Sequence, residues 1–187
     1  VDKKIGIYLI IAASVFSAGC AKRVVAKVEP QATQWSRHSL EIKVEPKVIQ
    51  RVNEYYEVIA EPKCMTSGCN AFMLTIKNKT AKNLEVNWNK TLYVFGAQAS
   101  GGFMFEGVVY KDRNSPKSSD VIFGNGHLIK LIYPNDLVKY YGGRYVARWD
   151  HEDMPFGENG IFLTVNVDGK EVTEKIVTSI SISQPKN

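Results

Sequence analysis

Local catalytic signatures are missing from this chain of 187 residues. It has no Gly-x-Ser-x-Gly elbow, no His-Glu-x-x-His and no Asp-x-Asp-x-Asp-Gly calcium loop. No glycine-rich phosphate loop is found; Gly124-Asn125-Gly126 reads as a turn. The three histidines, His38, His127 and His151, stand far apart. Carboxylates are plentiful but nowhere paired in a recognisable glycosidase setting. Long Lys/Arg blocks are absent too. The net charge of +5 is scattered and no aromatic-basic ladder accompanies it, so nucleic acid is not an expected partner. Asp150-His151-Glu152-Asp153 is the one local group of possible metal ligands. Its residues are contiguous, and a strand would splay them to opposite faces, so a solvated loop is the expectation. No cofactor, resident metal or catalytic residue is expected.

Cysteine is scarce as well, and its placement is informative. The chain has only Cys20, Cys64 and Cys69. Lys3 and Lys4 begin a short basic segment, Ile5 to Phe16 is apolar apart from Gly6 and Ser14, and small residues follow. Charged, apolar, small is the order of a secretory signal peptide. A bilayer span needs about 20 apolar residues, and Lys22 and Arg23 end this run too early for that. The stretch Ser17-Ala18-Gly19-Cys20 resembles the lipobox of bacterial lipoproteins. In that family the peptide is cut before the cysteine, which is then acylated. The resemblance implies a signal peptide over 1–19, lipidation at Cys20, and membrane lipid as a partner. Each buried CH₂ contributes about 0.8 kcal/mol, and several chains make a stable anchor. In lipoproteins of enteric-type bacteria an Asp after the lipidated cysteine retains the protein at the inner membrane. Ala21 and Lys22 stand there instead, which implies the outer membrane, with the domain facing the periplasm or the outside.

Export would carry Cys64 and Cys69 to an oxidising compartment, where a pair is expected to be disulfide-bonded. Their spacing does not suit a Cys-x-x-Cys redox site, and no further ligands mark a zinc site. The loop they close is short, so the expected stabilisation is only about 2 kcal/mol.

Helical periodicity is the last absence. Residues 20–37, with Pro30, read as a tether. From His38 onward the pattern is alternation. Leu40, Ile42 and Val44 mark one strand, Phe72, Leu74 and Ile76 another, and Leu84, Val86 and Trp88 a third. Lys47 to Glu61 fits a helical stripe or a strand, and a strand over Tyr55 to Ala60 is favoured. Thr91 to Phe95, Phe103 to Tyr110, Val121 to Phe123 and His127 to Tyr133 add further β-rich runs, and Asp112 to Asp120 is a polar loop. Asp168-Gly169 between Ile161–Val167 and Lys170–Ile182 is the clearest hairpin signal. About nine short strands, with turns roughly every 8 to 12 residues, predict an all-β, immunoglobulin-like β-sandwich over 38–187. Trp88 is its candidate core tryptophan. Cys64 and Cys69 lie too close together for an inter-sheet bridge. Two triplets, Asn78-Lys79-Thr80 and Asn89-Lys90-Thr91, match the glycosylation pattern and are read as turns.

Residues Phe72–Tyr93 and Gly102–Asn114 look similar to uncharacterised exported lipoproteins of Gram-negative bacteria. That similarity implies a fold and no activity. The expected function is a non-enzymatic binding or assembly module whose partner is an envelope protein or a glycan. The aromatics carry this expectation. Phe103 and Phe105 share one strand face and are assigned to the core. Tyr140 and Tyr141, beside Gly142-Gly143, with Tyr145 and Trp149, are the candidate partner-binding residues; for Tyr140 and Tyr141, exposure and core packing both stay open. Two rival readings remain: an envelope enzyme whose site assembles from distant residues, and a phage- or defence-related exclusion lipoprotein.

Overall fold

The computed structural model describes residues 41–142 and 148–183; at Arg148 and Trp149 it describes the backbone. The expected signal peptide, Cys20, the tether over 20–37, His38 and Tyr145 lie outside the described residues.

Fourteen strands and two short 3₁₀ turns, without an α-helix, make up the described chain. The first sheet holds seven strands. They are β1 (Glu41–Glu45), β5 (Leu84–Val86), β6 (Leu92–Phe95), β7 (Gln98–Ala99), β9 (Asp120–Ile122), β13 (Gly157–Val167) and β14 (Lys170–Ser183). Their main order is β1-β14-β13-β5-β9, with β6 also on β13 and β7 on β6. The second sheet runs β2-β3-β4-β10-β8. Here β2 is Ile49–Val52, β3 Tyr56–Cys64, β4 Cys69–Asn78, β8 Phe103–Phe105 and β10 His127–Pro134. A separate hairpin pairs β11 (Val138–Tyr141) with β12 (Arg148–His151). Every pairing is antiparallel.

The β13–β14 hairpin shows how sequence becomes register. Asp168 and Gly169 take φ of 51° and 78°, the positive values a two-residue turn needs. Val167 then faces Lys170, and eleven pairs zip down to Gly157 opposite Ile180. With period two, Ile161, Leu163 and Val165 all turn inward, as do Ile176 and Ile180. Thr178 shares that face, and its buried hydroxyl donates to Pro46 O at 2.8 Å.

Inner residues of both sheets form one continuous apolar cluster, so the all-β fold is sandwich-like. Val58, Ala60, Leu74, Ile76 and Ile132 come from the second sheet. Leu84, Val86, Leu163, Val165 and Ile176 come from the first. Each fully buried Leu, Ile or Val contributes about 1.5–3 kcal/mol, which makes this cluster the main stabilising term. Trp88 belongs to it at 2% exposure, tilted against Phe105 with ring centroids 4.8 Å apart. It lies in the break where β13 exchanges β5 for β6 as its neighbour. Thr164 holds that break closed: its N–H donates to Thr91 Oγ1 at 3.1 Å and its hydroxyl to Lys90 O at 3.0 Å.

The region from Lys47 to Glu61 resolves into β2 and β3. Its helical stripe is overridden because β3 pairs along its whole length with β4, burying Tyr56, Val58 and Ala60. The strand that begins at Phe103 ends at Phe105, short of the run read from sequence. Gly124-Asn125-Gly126 is a turn, closed by Gly126 N–H to Phe123 O at 2.9 Å. It carries the chain from β9 in one sheet to β10 in the other.

Asn78 fastens that crossing. Its buried amide nitrogen lies within donating distance of Lys82 O at 2.7 Å and of Ile122 O and Phe123 O, each at 3.1 Å. Its side-chain oxygen accepts from Thr80 N–H and Thr80 Oγ1–H, both at 2.9 Å.

Cys64 and Cys69 are disulfide-bonded. They are register partners where β3 hands over to β4. Met65 N–H donates to Gly68 O at 2.7 Å and closes the loop between them.

Candidate partner-binding surface

Tyr140 and Tyr141 follow each other on β11, so their side chains leave opposite faces of the hairpin. Both are exposed, at 51% and 55%. This answers the choice between core and surface: neither ring belongs to the core cluster. Trp149 pairs with Tyr140 in backbone register, and Arg148 with Tyr141. The side chain of Trp149 and the whole of Tyr145 lie outside the described residues. Phe103 and Phe105 are buried, as their shared strand face predicts.

Tyr140 is held in place despite its exposure. Its ring stacks on Tyr110, with centroids 5.5 Å apart and planes at 28°. The Arg113 guanidinium sits 4.2 Å from the Tyr110 centroid, a cation–π contact. Tyr110 and Arg113 come from the 3₁₀ turn at Tyr110–Asp112 and its cap. A Cβ at Gly142 would lie 3.2 Å from the Tyr140 ring, so the glycine leaves space for that ring.

A second stack lies on the same hairpin. His151 pairs with Val138, and its ring lies 3.8 Å from Tyr133, nearly parallel at 20°. Burial lowers the His151 pKa, and neighbouring Asp150 partly opposes the shift. Burial raises the Tyr133 hydroxyl. Asp150 and His151 thus belong to a strand, where the sequence suggested a solvated loop. The hairpin is tied to the body by Glu152 N–H to Leu137 O at 2.7 Å and Met154 N–H to Cys69 O at 2.6 Å. The second bond links the disulfide end of β4 to the segment leaving β12. Among the described residues no three His, Cys, Asp or Glu side chains gather into a metal-binding group.

Sequence reasoning named Tyr140 and Tyr141, but missed Arg113 and the His151 stack. Both depend on contacts between distant segments, for which no spacing rule exists.

A polar group flanks the aromatic core nearby. Trp88 Nε1–H donates to Asp120 Oδ2 at 2.8 Å, and Lys130 forms an ion pair with the same carboxylate oxygen. The Lys130 ammonium also lies 4.1 Å from the Phe105 centroid. These side chains border a cleft of about 420 Å³ beneath the loop from Ser115 to Asp120. Burial lowers the Lys117 pKa, and its Nζ donates to Arg113 O at 2.6 Å.

Comparison with protein-family models, with curated proteins and with solved structures finds no match.

Proposed function

We propose that this protein is a lipid-anchored envelope lipoprotein that works as a non-enzymatic binding or assembly module. The lipobox-like stretch ending at Cys20 supports the anchor. The exposed pair Tyr140 and Tyr141 carries the binding role, because Tyr140 is pre-positioned by Tyr110 and Arg113. A rigid aromatic loses little freedom on binding, and such residues dominate contact energetics at interfaces. The partner is an envelope protein or a glycan presented to that hairpin. The domain is an immunoglobulin-like sandwich in this reading. Support comes from two antiparallel sheets around one core and from the tryptophan buried between them.

Two experiments test the anchor and the surface separately. Fractionation of cells producing the full chain should find it with membranes, and Cys20→Ser should release it. A variant that stays membrane-bound and is processed normally overturns the anchor. Crosslinking in intact cells should capture a partner through the tyrosine hairpin. Tyr140→Ala with Tyr141→Ala should remove that crosslink while moving the thermal midpoint little, since both rings are exposed. A crosslink that survives the double substitution overturns the surface.

A further inference from the structure

Among the described residues, part of β10 in the second sheet has a strand on one side only. β10 spans eight residues, and β4 pairs with it from His127 to Ile132. On its other side β8 covers only the end from Ile132 to Pro134. β8 stops there because the chain peels away after Phe105. Gly107 takes φ of 90°, a conformation that favours glycine, and Val108 N–H donates back to Phe105 O at 3.1 Å.

Two hydrogen bonds fix which backbone groups face the vacated lane. Asn78 N–H donates to Gly126 O at 2.9 Å, so even-numbered residues of this run bond toward β4. Asn135 N–H donates to Gly102 O at 3.0 Å, so odd-numbered residues bond toward β8. Antiparallel ladders alternate in this way residue by residue. The N–H and C=O of Ile129, and of His127 before it, therefore aim into the lane. Among the described residues no backbone group meets them.

The lane is also unguarded. Edge strands are usually protected by charges, by proline or by being very short. β1 carries exposed Glu41, Lys43 and Glu45, and β9 has only three residues. The open run of β10 instead presents Ile129 outward at 59% exposure. Its one lysine, Lys130, turns inward to Asp120. Two clefts meet where β8 departs, and both are bordered by Glu106, Gly107 and Lys130. The outer one, about 520 Å³, is walled by Ile129, Leu131 and Tyr133. The inner one is the cleft beneath the Ser115–Asp120 loop.

We propose that this lane is a strand-addition site, filled by an extended segment of a partner protein with apolar side chains at every second position. Only another strand offers donors and acceptors at the spacing of about 3.3 Å per residue that the edge demands. One set of its side chains would enter the apolar outer cleft and the other the Lys130 cleft. The outer cleft borders the tyrosine hairpin through Tyr133, which stacks on His151, but the lane itself lies on β10 and is tested there.

The probe is a displayed library of random nonapeptides, screened on the full chain. Selected peptides should repeat apolar residues with period two. N-methylation of their amides should weaken binding about tenfold or more at alternate positions and little at those between, because only alternate amides face β10. Ile129→Pro deletes the N–H that faces the lane and no bond to β4. It should keep the circular dichroism of the wild type and lose peptide binding. Ile129→Lys, which keeps the backbone, should weaken binding through the outer cleft. The proposal is overturned if no peptide is enriched or if N-methylation is tolerated equally at all positions. Full binding by a folded Ile129→Pro chain overturns it too. Self-association of the wild-type chain that disappears in the same variant would seat a second copy in the lane, and would equally overturn the assignment to a partner.

Discussion

Asn78→Ala should be among the most destabilising polar substitutions in this domain. The wild-type amide has two N–H donors shared among three carbonyls, and an oxygen that accepts twice. It is buried at 1% exposure, so water cannot replace those bonds without opening the crossing between sheets. Each bond is worth about 1 kcal/mol net, and a stranded buried group costs about 1–3 kcal/mol. A loss of about 3 kcal/mol follows, or roughly 6–12 °C in the thermal midpoint for a domain of this size. Asn78→Asp sharpens the test. Its carboxylate would face three carbonyl oxygens, so burial and repulsion should raise its folded-state pKa. A group raised in this way favours folding below its unfolded pKa of about 3.9, and loses that contribution as pH rises through the folded value. The Asp variant should therefore be less stable than the Ala variant at pH 7, and the gap should narrow on acidification. Urea denaturation at a series of pH values measures both. An alanine variant within about 1 kcal/mol of wild type, or an Asp deficit that ignores pH, would refute the reasoning.

Two further outcomes follow from the site. Reduction of Cys64–Cys69 should lower stability by about 2 kcal/mol or less, because the closed loop is short. It should also speed hydrogen exchange at Met154, whose N–H is held by Cys69 O; unchanged exchange there would separate the disulfide from the hairpin. His151 is the source of a second pH dependence. Its folded-state pKa is lowered, so its contribution is present above the unfolded value of about 6.5 and is lost as pH falls through the folded one. Wild type should lose more stability than His151→Gln between neutral and mildly acidic pH, and parallel profiles would show that the Tyr133 stack does not sense protonation.

Much of the sandwich is legible in the sequence because it depends on neighbours. Alternation at Leu74 and Ile76, or at Leu163 and Val165, states which side is inward without reference to any partner. Asp168-Gly169 fixes its own turn. Trp88 declares burial by size and by its place at the end of an alternating run. The region from Lys47 to Glu61 was ambiguous for the opposite reason. Val48, Val52, Tyr55 and Ile59 fit a helix as well as a strand, and only pairing with β4 decides between them. The site shows the same division. Tyr140 and Tyr141 could be singled out because glycines follow them. That Tyr140 rests on Tyr110, with Arg113 beyond, depends on how a polar loop folds back. The open lane beside β10 is less legible still. It exists because β8 turns away too soon, and its unmet N–H and C=O groups are the same in every residue type.

The two Asn-Lys-Thr triplets have a consequence for how this protein can be produced. Asn78 is fully engaged by the sheet crossing, and Asn89 Nδ2 donates to Lys117 O at 2.8 Å while Lys117 N–H donates to Asn89 Oδ1 at 2.7 Å. An oligosaccharide attached during synthesis in a eukaryotic secretory pathway would occupy these same amide nitrogens before the chain folds. At Asn78 the sugar would have to sit between the two sheets, where the packed interior has no room for it. Bacterial export offers no such hazard. A yeast or mammalian secretion host is therefore a poor choice, and removing the acceptor threonines is no remedy: Thr80 Oγ1–H donates to Asn78 Oδ1 at 2.9 Å, and the buried Thr91 Oγ1 accepts from Thr164 N–H at 3.1 Å.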